Sequence, residues 1–251
     1  MSVSFVEVGA WHEAVNERRT AVQTFGPDAT ALVVGATGGI GAAFVRALRA
    51  SGRFAAVHEA SRSGTRVVDY DRPDTIASAV EGLADLDLVL VATGMLHEGD
   101  LKPEKSMRAL DADALLRSYR INAVGPALVA KHALPLMRRD RKTAFAALSA
   151  RVGSIEDNRL GGWHGYRAAK AGLNMLLRNL AIEHARRWPE SMVVGLHPGT
   201  VDTGLSEPFQ RNVGDLFTPE RSAAAMLGVL DGLGPDATGN VYDWKGERIP
   251  G

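Results

Sequence analysis

The chain has 251 residues, of which 45% are hydrophobic and 23% charged, a composition typical of a globular protein. Its 29 Lys and Arg balance 29 Asp and Glu, so no net charge attracts it to nucleic acid or to an anionic membrane. The absence of cysteine excludes disulfides, thiolate metal sites and cysteine nucleophiles. There is no secretory signal pattern and no apolar run near the length of a membrane span. We therefore expect a cytoplasmic protein that binds neither nucleic acid nor membrane.

Short apolar segments alternate with helical patterns along the chain. Residues 1–29 come before the first strand, and their segment AWHEAVNERRTAV predicts an added amphipathic helix. Seven later segments are apolar almost throughout, as expected of parallel strands covered on both faces. These predicted strands are 31–34, 54–60, 65–70, 86–92, 144–149, 192–197 and 240–244.

Helices are predicted between these strands. The first begins at the glycines after the first strand and ends at Gly52. A long one, capped by Asp111 or Asp113, runs to about residue 139 and bends at Gly125–Pro126. Two more cover 163–187 and the residues after Pro219, where Thr218 is the expected N-cap. The alternation predicts an α/β fold with a Rossmann-type doubly wound parallel sheet of about seven strands, helices on both faces, and a single domain over residues 30–251.

A glycine-rich turn, VVGATGGIGAAF, joins the first strand to the first helix. Gly35 permits the tight turn, Gly39 lets the backbone approach a pyrophosphate, and Gly41 lets helix and strand pack closely. The spacing is not that of the G-x-G-x-x-G fingerprint, but the helix start offers the same free N–H groups to phosphate. The turn residues predicted to bind a dinucleotide are Gly35, Thr37, Gly38, Gly39, Ile40 and Gly41.

The end of the second strand, HEASRSGTR, indicates which dinucleotide is bound. With the strand ending at Ala60, Ser61 takes the ribose position and Arg62 offers a charged fork to a 2′-phosphate. This arrangement favours NADP(H) over NAD(H). Two alternatives stay open: a register shift of two residues would place Glu59 at the ribose and favour NAD(H), and Arg62 could be a solvated loop cation.

The stretch GWHGYRAAKAGL predicts a proton donor. Tyr166 and Lys170 are four residues apart and share one face of a predicted helix. A nearby cation lowers the pKa of a phenol from its ordinary value near 10. The Y-x-x-x-K pattern is common by chance, but the glycine turn earlier in the same α/β pattern favours a reacting pair over a surface pair.

With these motifs the chain resembles the short-chain dehydrogenase/reductase family, whose T-G-x-x-x-G-[IL]-G motif matches the glycine turn with Val34 in place of Thr. The likeness runs from about residue 30 to the C-terminus. The segments SARVGSIEDNRLGGW and HPGTVDT look like a subgroup of sniffer-like carbonyl reductases and bacterial C-factor-like signalling proteins.

This resemblance implies an oxidoreductase that transfers hydride between a nicotinamide and a small carbonyl or alcohol substrate, and a homodimer or homotetramer. The alternative is a nucleotide-binding signalling or regulatory protein with weak or no turnover.

The resemblance also implies catalytic roles. Tyr166 is the general acid and base, and Lys170 holds the nicotinamide ribose and lowers the pKa of Tyr166. Asn122, in a helix-kinking N-A-x-G motif, holds a water that completes a proton relay. Ser149 binds the carbonyl, although its alignment is imperfect and Ser154 is a rival.

Further cofactor contacts are implied after the third, fourth and sixth strands, where VATG replaces the family's N-N-A-G. The residues are Asp69, Tyr70, Ala92, Thr93, Gly94, Pro198, Gly199, Thr200, Val201 and Thr203. The segment GLSEPFQRNVGDLFTPE is expected to be a substrate lid in which Phe209, Leu216 and Phe217 close on an apolar ligand. No metal site is predicted, because the seven histidines lack the spacing of one.

Overall fold

A computed structural model describes residues 22–209 and 215–251. Eight strands form one sheet in the order β3-β2-β1-β4-β5-β6-β7-β8. The first seven are parallel, and β8 is antiparallel to β7. The strands are β1 (Ala29–Val34), β2 (Phe54–Ser61), β3 (Arg66–Val67), β4 (Leu88–Val91), β5 (Thr143–Leu148), β6 (Ser191–His197), β7 (Val241–Asp243) and β8 (Arg248–Ile249).

Helices cover both faces of this sheet. They are α1 (Gly39–Ala50), α2 (Asp74–Val80), α3 (Ala112–Tyr119), α4 (Gly125–Ala133), α5 (His164–Ala185) and α6 (Pro219–Gly232). The apolar sides of α1 and α6 pack on one face, and those of α2, α4 and α5 on the other. The near-continuous apolar strands are therefore buried on both sides, which confirms the predicted doubly wound fold.

The predicted helix over 111–139 differs most from the structure. Asp111 does cap it, since its carboxylate accepts a hydrogen bond from the Ala114 N–H at 2.9 Å. One turn of π-helix (Arg120–Val124) then separates α3 from α4, and α4 ends at Ala133. The interruption therefore lies before Gly125–Pro126, at a widened turn of the kind that is frequent at functional sites.

The structure describes the segment before β1 only from Val22 onward. The predicted helix over AWHEAVNERRTAV lies almost wholly in residues 1–21, outside the described part of the chain. Val22 and Phe25, within the predicted extension, are buried in the core beside α1. The division of the chain into 1–29 and 30–251 stays a prediction. Among the described helices, none combines the length and the apolar character that crossing a membrane requires.

The sheet topology places a crevice where ligands bind in folds of this kind. The strand order reverses between β1 and β4, so the connections that follow these two strands run to opposite faces. The gap between them, outside the carboxyl ends of the strands, is the usual ligand site of a doubly wound sheet.

Candidate active site

Two adjoining cavities occupy this crevice, of about 600 and 530 Å³. The first lies over the ends of β1, β2 and β3, and Thr37, Ser61, Arg62, Asp69 and Tyr70 are among its walls. The second lies over β5 and β6 and is bordered by α5. Residues from the glycine turn, the end of β4 and the segment after β6 line both: Gly38, Ala92, Thr93, Gly94, Leu96, Gly204 and Leu205. The cavities thus form one continuous site, since these seven residues border both.

The glycine turn has the geometry of a phosphate cradle. Gly35 has φ +85°, and a Cβ at Gly41 would lie only 2.1 Å from the Gly35 carbonyl oxygen. Helix α1 begins at Gly39, and no side chain caps it. Its first N–H groups therefore lack the usual capping partner, and they lie where Gly38, Gly39 and Ile40 line the second cavity. Such a helix start can bind the phosphates of a dinucleotide.

The end of β2 bears on the two interpretations of HEASRSGTR. Strand β2 ends at Ser61, and Ser61 and Arg62 line the first cavity. Glu59 lies within the strand opposite Val33, and its carboxylate pairs with Arg49 at 2.6 Å. It is not one of the cavity residues. The shifted register that would bring Glu59 to the ribose is therefore not the register of the structure.

Asp69 and Tyr70 also line the first cavity, each already engaged by the protein. The Asp69 carboxylate bonds Arg72 Nε at 2.9 Å, and this contact, more than its bond with the Asp71 N–H, lowers the pKa of Asp69. The Tyr70 ring packs against Gly125, and its hydroxyl lies 2.8 Å from Thr93 Oγ1. Thr93, in the altered VATG motif, thus has a hydrogen-bond partner in Tyr70, on the segment that follows β3.

Asn122 supports the loop after β4 from the π turn. Its Oδ1 accepts from the Met95 N–H at 3.0 Å, and its Nδ2 donates to the Met95 carbonyl at 2.8 Å. The residue is fully buried, and it is not among the residues that line the cavities. The structure therefore gives Asn122 a loop-holding contact, and its role in a proton relay stays a prediction.

Tyr166 and Lys170 lie one turn apart near the start of α5, and both line the second cavity. The Lys170 side chain is 2% exposed, and its Nζ donates to the Leu148 carbonyl at 2.7 Å. The same nitrogen lies 5.6 Å from the centroid of the Tyr166 ring. The predicted pair is brought together, with the ammonium anchored at the end of β5.

The expected lowering of the Tyr166 pKa by Lys170 is wrong for this structure. Burial raises the pKa of Tyr166 to about 12 and lowers the pKa of Lys170 to about 7. At any pH at which the phenol would ionise, the amine has already lost its proton and no longer attracts a phenolate. The phenol is therefore in its acid form at neutral pH, and its raised pKa makes it a weaker acid than a free tyrosine.

The two candidate serines have different surroundings. Ser149 lines the second cavity beside Tyr166 and Lys170. The Ser154 hydroxyl donates to the Gly251 carbonyl and accepts from the Asp157 N–H, both at 3.0 Å, and Ser154 is not one of the cavity residues. Ser154 thus ties the loop after β5 to Gly251, and Ser149 is the candidate serine that lines the same cavity as Tyr166.

The segment after β6 reaches the second cavity as predicted. Pro198, Gly199, Thr200, Val201 and Thr203 all line it. Gly199 has φ +77°, which a side chain would strain.

The lid prediction is wrong for Phe217. This ring is 1% exposed and packs edge-on against Trp244 at 4.6 Å between centroids, so it belongs to the core. Three other residues of the predicted lid line the cavities: Gly204 and Leu205 line both, and Ser206 lines the second. Residues 210–214 lie outside the described part of the chain.

Three residues near the reacting groups were not predicted as members of the site. Trp163 lines the second cavity in a left-handed conformation, φ +50°, with its ring edge-on to Tyr166 at 6.3 Å between centroids. His197 lines the same cavity; burial and the charge of Arg151 lower its pKa to about 4, so it is neutral at pH 7. Asn174 bonds Ser149. Asn174 lies four residues after Lys170, and this helical spacing was the only feature of the sequence that pointed to Asn174.

The chain has clear relatives among known proteins. A sequence model described as short chain dehydrogenase matches residues 67–214. The chain is 30% identical over 230 residues, 86% of its length and 97% of the relative's, to 1-hydroxy-2-glutathionyl-2-methyl-3-butene dehydrogenase of Rhodococcus sp. strain AD45. It is 36% identical over 142 residues, 56% of its length and 81% of the relative's, to C-signal of Myxococcus xanthus.

The fold has close structural neighbours as well. The NADPH-bound carbonyl reductase from chicken fatty liver superposes with a TM-score of 0.77 at 22% identity, covering 92% of this chain and 98% of that one. At this identity the likeness shows the fold.

Proposed function

The chain belongs to the short-chain dehydrogenase family, and from this premise we propose that it is an NADP(H)-dependent carbonyl reductase or alcohol dehydrogenase with Tyr166 as its general acid and base. Family membership itself makes it a nicotinamide-dependent oxidoreductase that acts on a C=O or CH–OH group. The observation that carries the proposal is the grouping of Tyr166, Lys170 and Ser149 in one cavity continuous with the glycine turn.

The dinucleotide site fits a phosphorylated cofactor. The uncapped start of α1 provides N–H groups for the pyrophosphate. At the adenosine end, β2 terminates in Ser61 and Arg62, and Glu59 is held away by Arg49. An arginine in place of a carboxylate supports NADP(H), because a guanidinium attracts the 2′-phosphate that a carboxylate would repel.

The residues of the second cavity account for the proton in the reaction. When bound, a nicotinamide supplies hydride to a carbonyl carbon or takes it from an alcohol carbon. Tyr166, which is protonated at neutral pH, donates its proton to the substrate oxygen. Ser149 at the end of β5 holds that oxygen in place. Trp163 and Leu205 give the cavity apolar walls that exclude water.

Lys170 favours the proton transfer from Tyr166 through its charge. A charged Lys170, whose Nζ lies 5.6 Å from the centroid of the Tyr166 ring, would stabilise the phenolate that forms when Tyr166 gives up its proton. Because the pKa of Lys170 is about 7, that charge is present below neutral pH and lost above it. The forming phenolate in turn favours the protonated state of Lys170.

A second candidate is a nucleotide-binding signalling or regulatory protein with little turnover, which the similarity to C-signal favours. The two proposals are distinguished by fluorescence titration with NADPH and NADH, followed by NADPH oxidation with benzaldehyde, acetophenone and diacetyl. The enzyme proposal predicts tighter binding of NADPH and turnover of at least one carbonyl. Tight binding without turnover of any probe would favour the regulatory role, and no binding of either nucleotide would contradict both.

We also propose that the chain forms a homodimer or homotetramer in the cytoplasm. Leu116 on α3 and Met175 on α5 are 68% and 62% exposed, on neighbouring helices of one sheet face, which supports burial against a second copy. Light scattering on the purified protein measures its mass, and a monomer would contradict this proposal.

A further inference from the structure

Asn174 contacts the proposed catalytic serine from behind. The Ser149 Oγ and Asn174 Oδ1 atoms lie 2.6 Å apart, a short hydrogen bond in which the serine is the donor. Asn174 lies on α5 one turn after Lys170, so Tyr166, Lys170 and Asn174 follow one another along one helix face. Asn174 is not among the residues that line the second cavity. The contact through which Asn174 would act on the reaction is therefore its hydrogen bond with Ser149.

The direction of this bond decides what Ser149 can do for a substrate. A hydroxyl has one proton, and here that proton points to Asn174. Ser149 is 3% exposed, and while it donates to Asn174 its oxygen has only lone pairs left for a group that enters the cavity. Lone pairs can accept a bond from an alcohol, but they repel the oxygen of a carbonyl. Reduction needs the opposite arrangement, a serine that donates to the oxygen on which negative charge develops.

An asparagine amide can pair with the serine hydroxyl in either direction, because it has an acceptor at one end and a donor at the other. Turned over, its Nδ2 would donate to Ser149 Oγ and release the serine proton to the substrate. Among the described residues, the Asn174 side chain is hydrogen-bonded only to Ser149. No bond from Nδ2 therefore opposes rotation of the amide.

We propose that Asn174 is a positioning residue that sets the donor direction of Ser149 by presenting either end of its amide. This inference rests on the proposed role of Ser149 in binding the substrate oxygen. It predicts that reduction is slowed most by a side chain at position 174 that can accept a hydrogen bond but cannot donate one. Such a side chain holds the serine proton away from the carbonyl.

Two substitutions of similar size separate this role from a structural one. Asn174→Asp keeps the observed acceptor but cannot donate as a carboxylate, whereas Asn174→Leu makes no bond and leaves the hydroxyl free to turn. At pH 8 we expect kcat/KM for reduction of the best carbonyl probe by NADPH to fall less than about tenfold in Asn174→Leu and about a hundredfold in Asn174→Asp. A structural role predicts the reverse order, because Asp retains the 2.6 Å contact.

The controls use Ser149→Ala and the folding of each variant. In the Ser149→Ala background, neither substitution at 174 should lower kcat further, each variant should unfold cooperatively, and its NADPH affinity should match that of Ser149→Ala alone. If Asn174→Asp does not fold, Asn174→Leu alone decides, since its loss must vanish in that background. An Asp variant as active as the Leu variant or more so, beside an active unsubstituted chain, overturns this inference alone. An unsubstituted chain that binds NADPH but reduces no probe overturns the proposed function as well.

Discussion

Replacing Lys170 by methionine should change how stability depends on pH. The pKa of Lys170 is about 7 in the folded chain and about 10.5 in the unfolded one. Between these values the unfolded chain holds a proton that the folded chain has released, so the free energy of unfolding rises with pH. Integrating from pH 7, where the folded amine is half protonated, to pH 9 gives about 2 kcal/mol of added stability from this one group. The methionine side chain has no such group to titrate.

Urea unfolding of the cofactor-free chain at pH 7 and pH 9 measures the effect. Stability should rise more in the unsubstituted protein than in Lys170→Met, by about 2 kcal/mol. The matched control is Lys131→Met, since Lys131 is exposed on α4 and its replacement should leave the pH dependence unchanged. Equal pH dependence in Lys170→Met and the unsubstituted chain would refute the burial argument and the charge-dependent role given to Lys170.

Three further results are expected. Ser149→Ala should lower kcat/KM for carbonyl reduction by about a hundredfold or more, because a donor to the substrate oxygen is lost. Ser154→Ala should leave kcat/KM within about threefold and lower the unfolding temperature. Equal losses of kcat/KM in the two variants would contradict the choice of Ser149. Arg62→Ala should weaken NADPH binding about tenfold or more in a fluorescence titration and leave NADH binding unchanged; equal weakening would show that Arg62 does not read the 2′-phosphate. Reduction should decline as pH rises through about 7, where Lys170 loses its charge; a steady rate up to pH 9 would count against that dependence.

Most of the fold could be predicted because its signals are local. The apolar segments at 86–92 and 192–197 are long enough to identify buried strands, and the structure contains β4 and β6 there. Strand β8 has two residues and α2 has seven, too few for a periodic pattern. The π turn at Arg120–Val124 depends on how the loop after β4 meets Asn122, which no local pattern records.

The candidate site, like the fold, could be predicted only where its residues are close together in the chain. Tyr166 and Lys170 are neighbours by helical spacing, so the pattern predicted their contact correctly. Their pKa values depend on burial under β5 and the cavity walls, and no sequence pattern measures that burial. The pairing of Ser149 with Asn174 joins a strand end to a helix 25 residues later, and only the tertiary structure shows it.

The most direct test of the central claim is the kinetics of Tyr166→Phe. The account predicts that kcat for carbonyl reduction falls about a hundredfold to ten-thousandfold, because the proton donor is lost, while NADPH binding is unchanged. Tyr119→Phe is the matched control, since that ring packs against Gly172 on the outer side of α5 and lines neither cavity. If Tyr166→Phe and Tyr119→Phe both reduce the carbonyl probe at the rate of the unsubstituted chain, Tyr166 is not the proton donor.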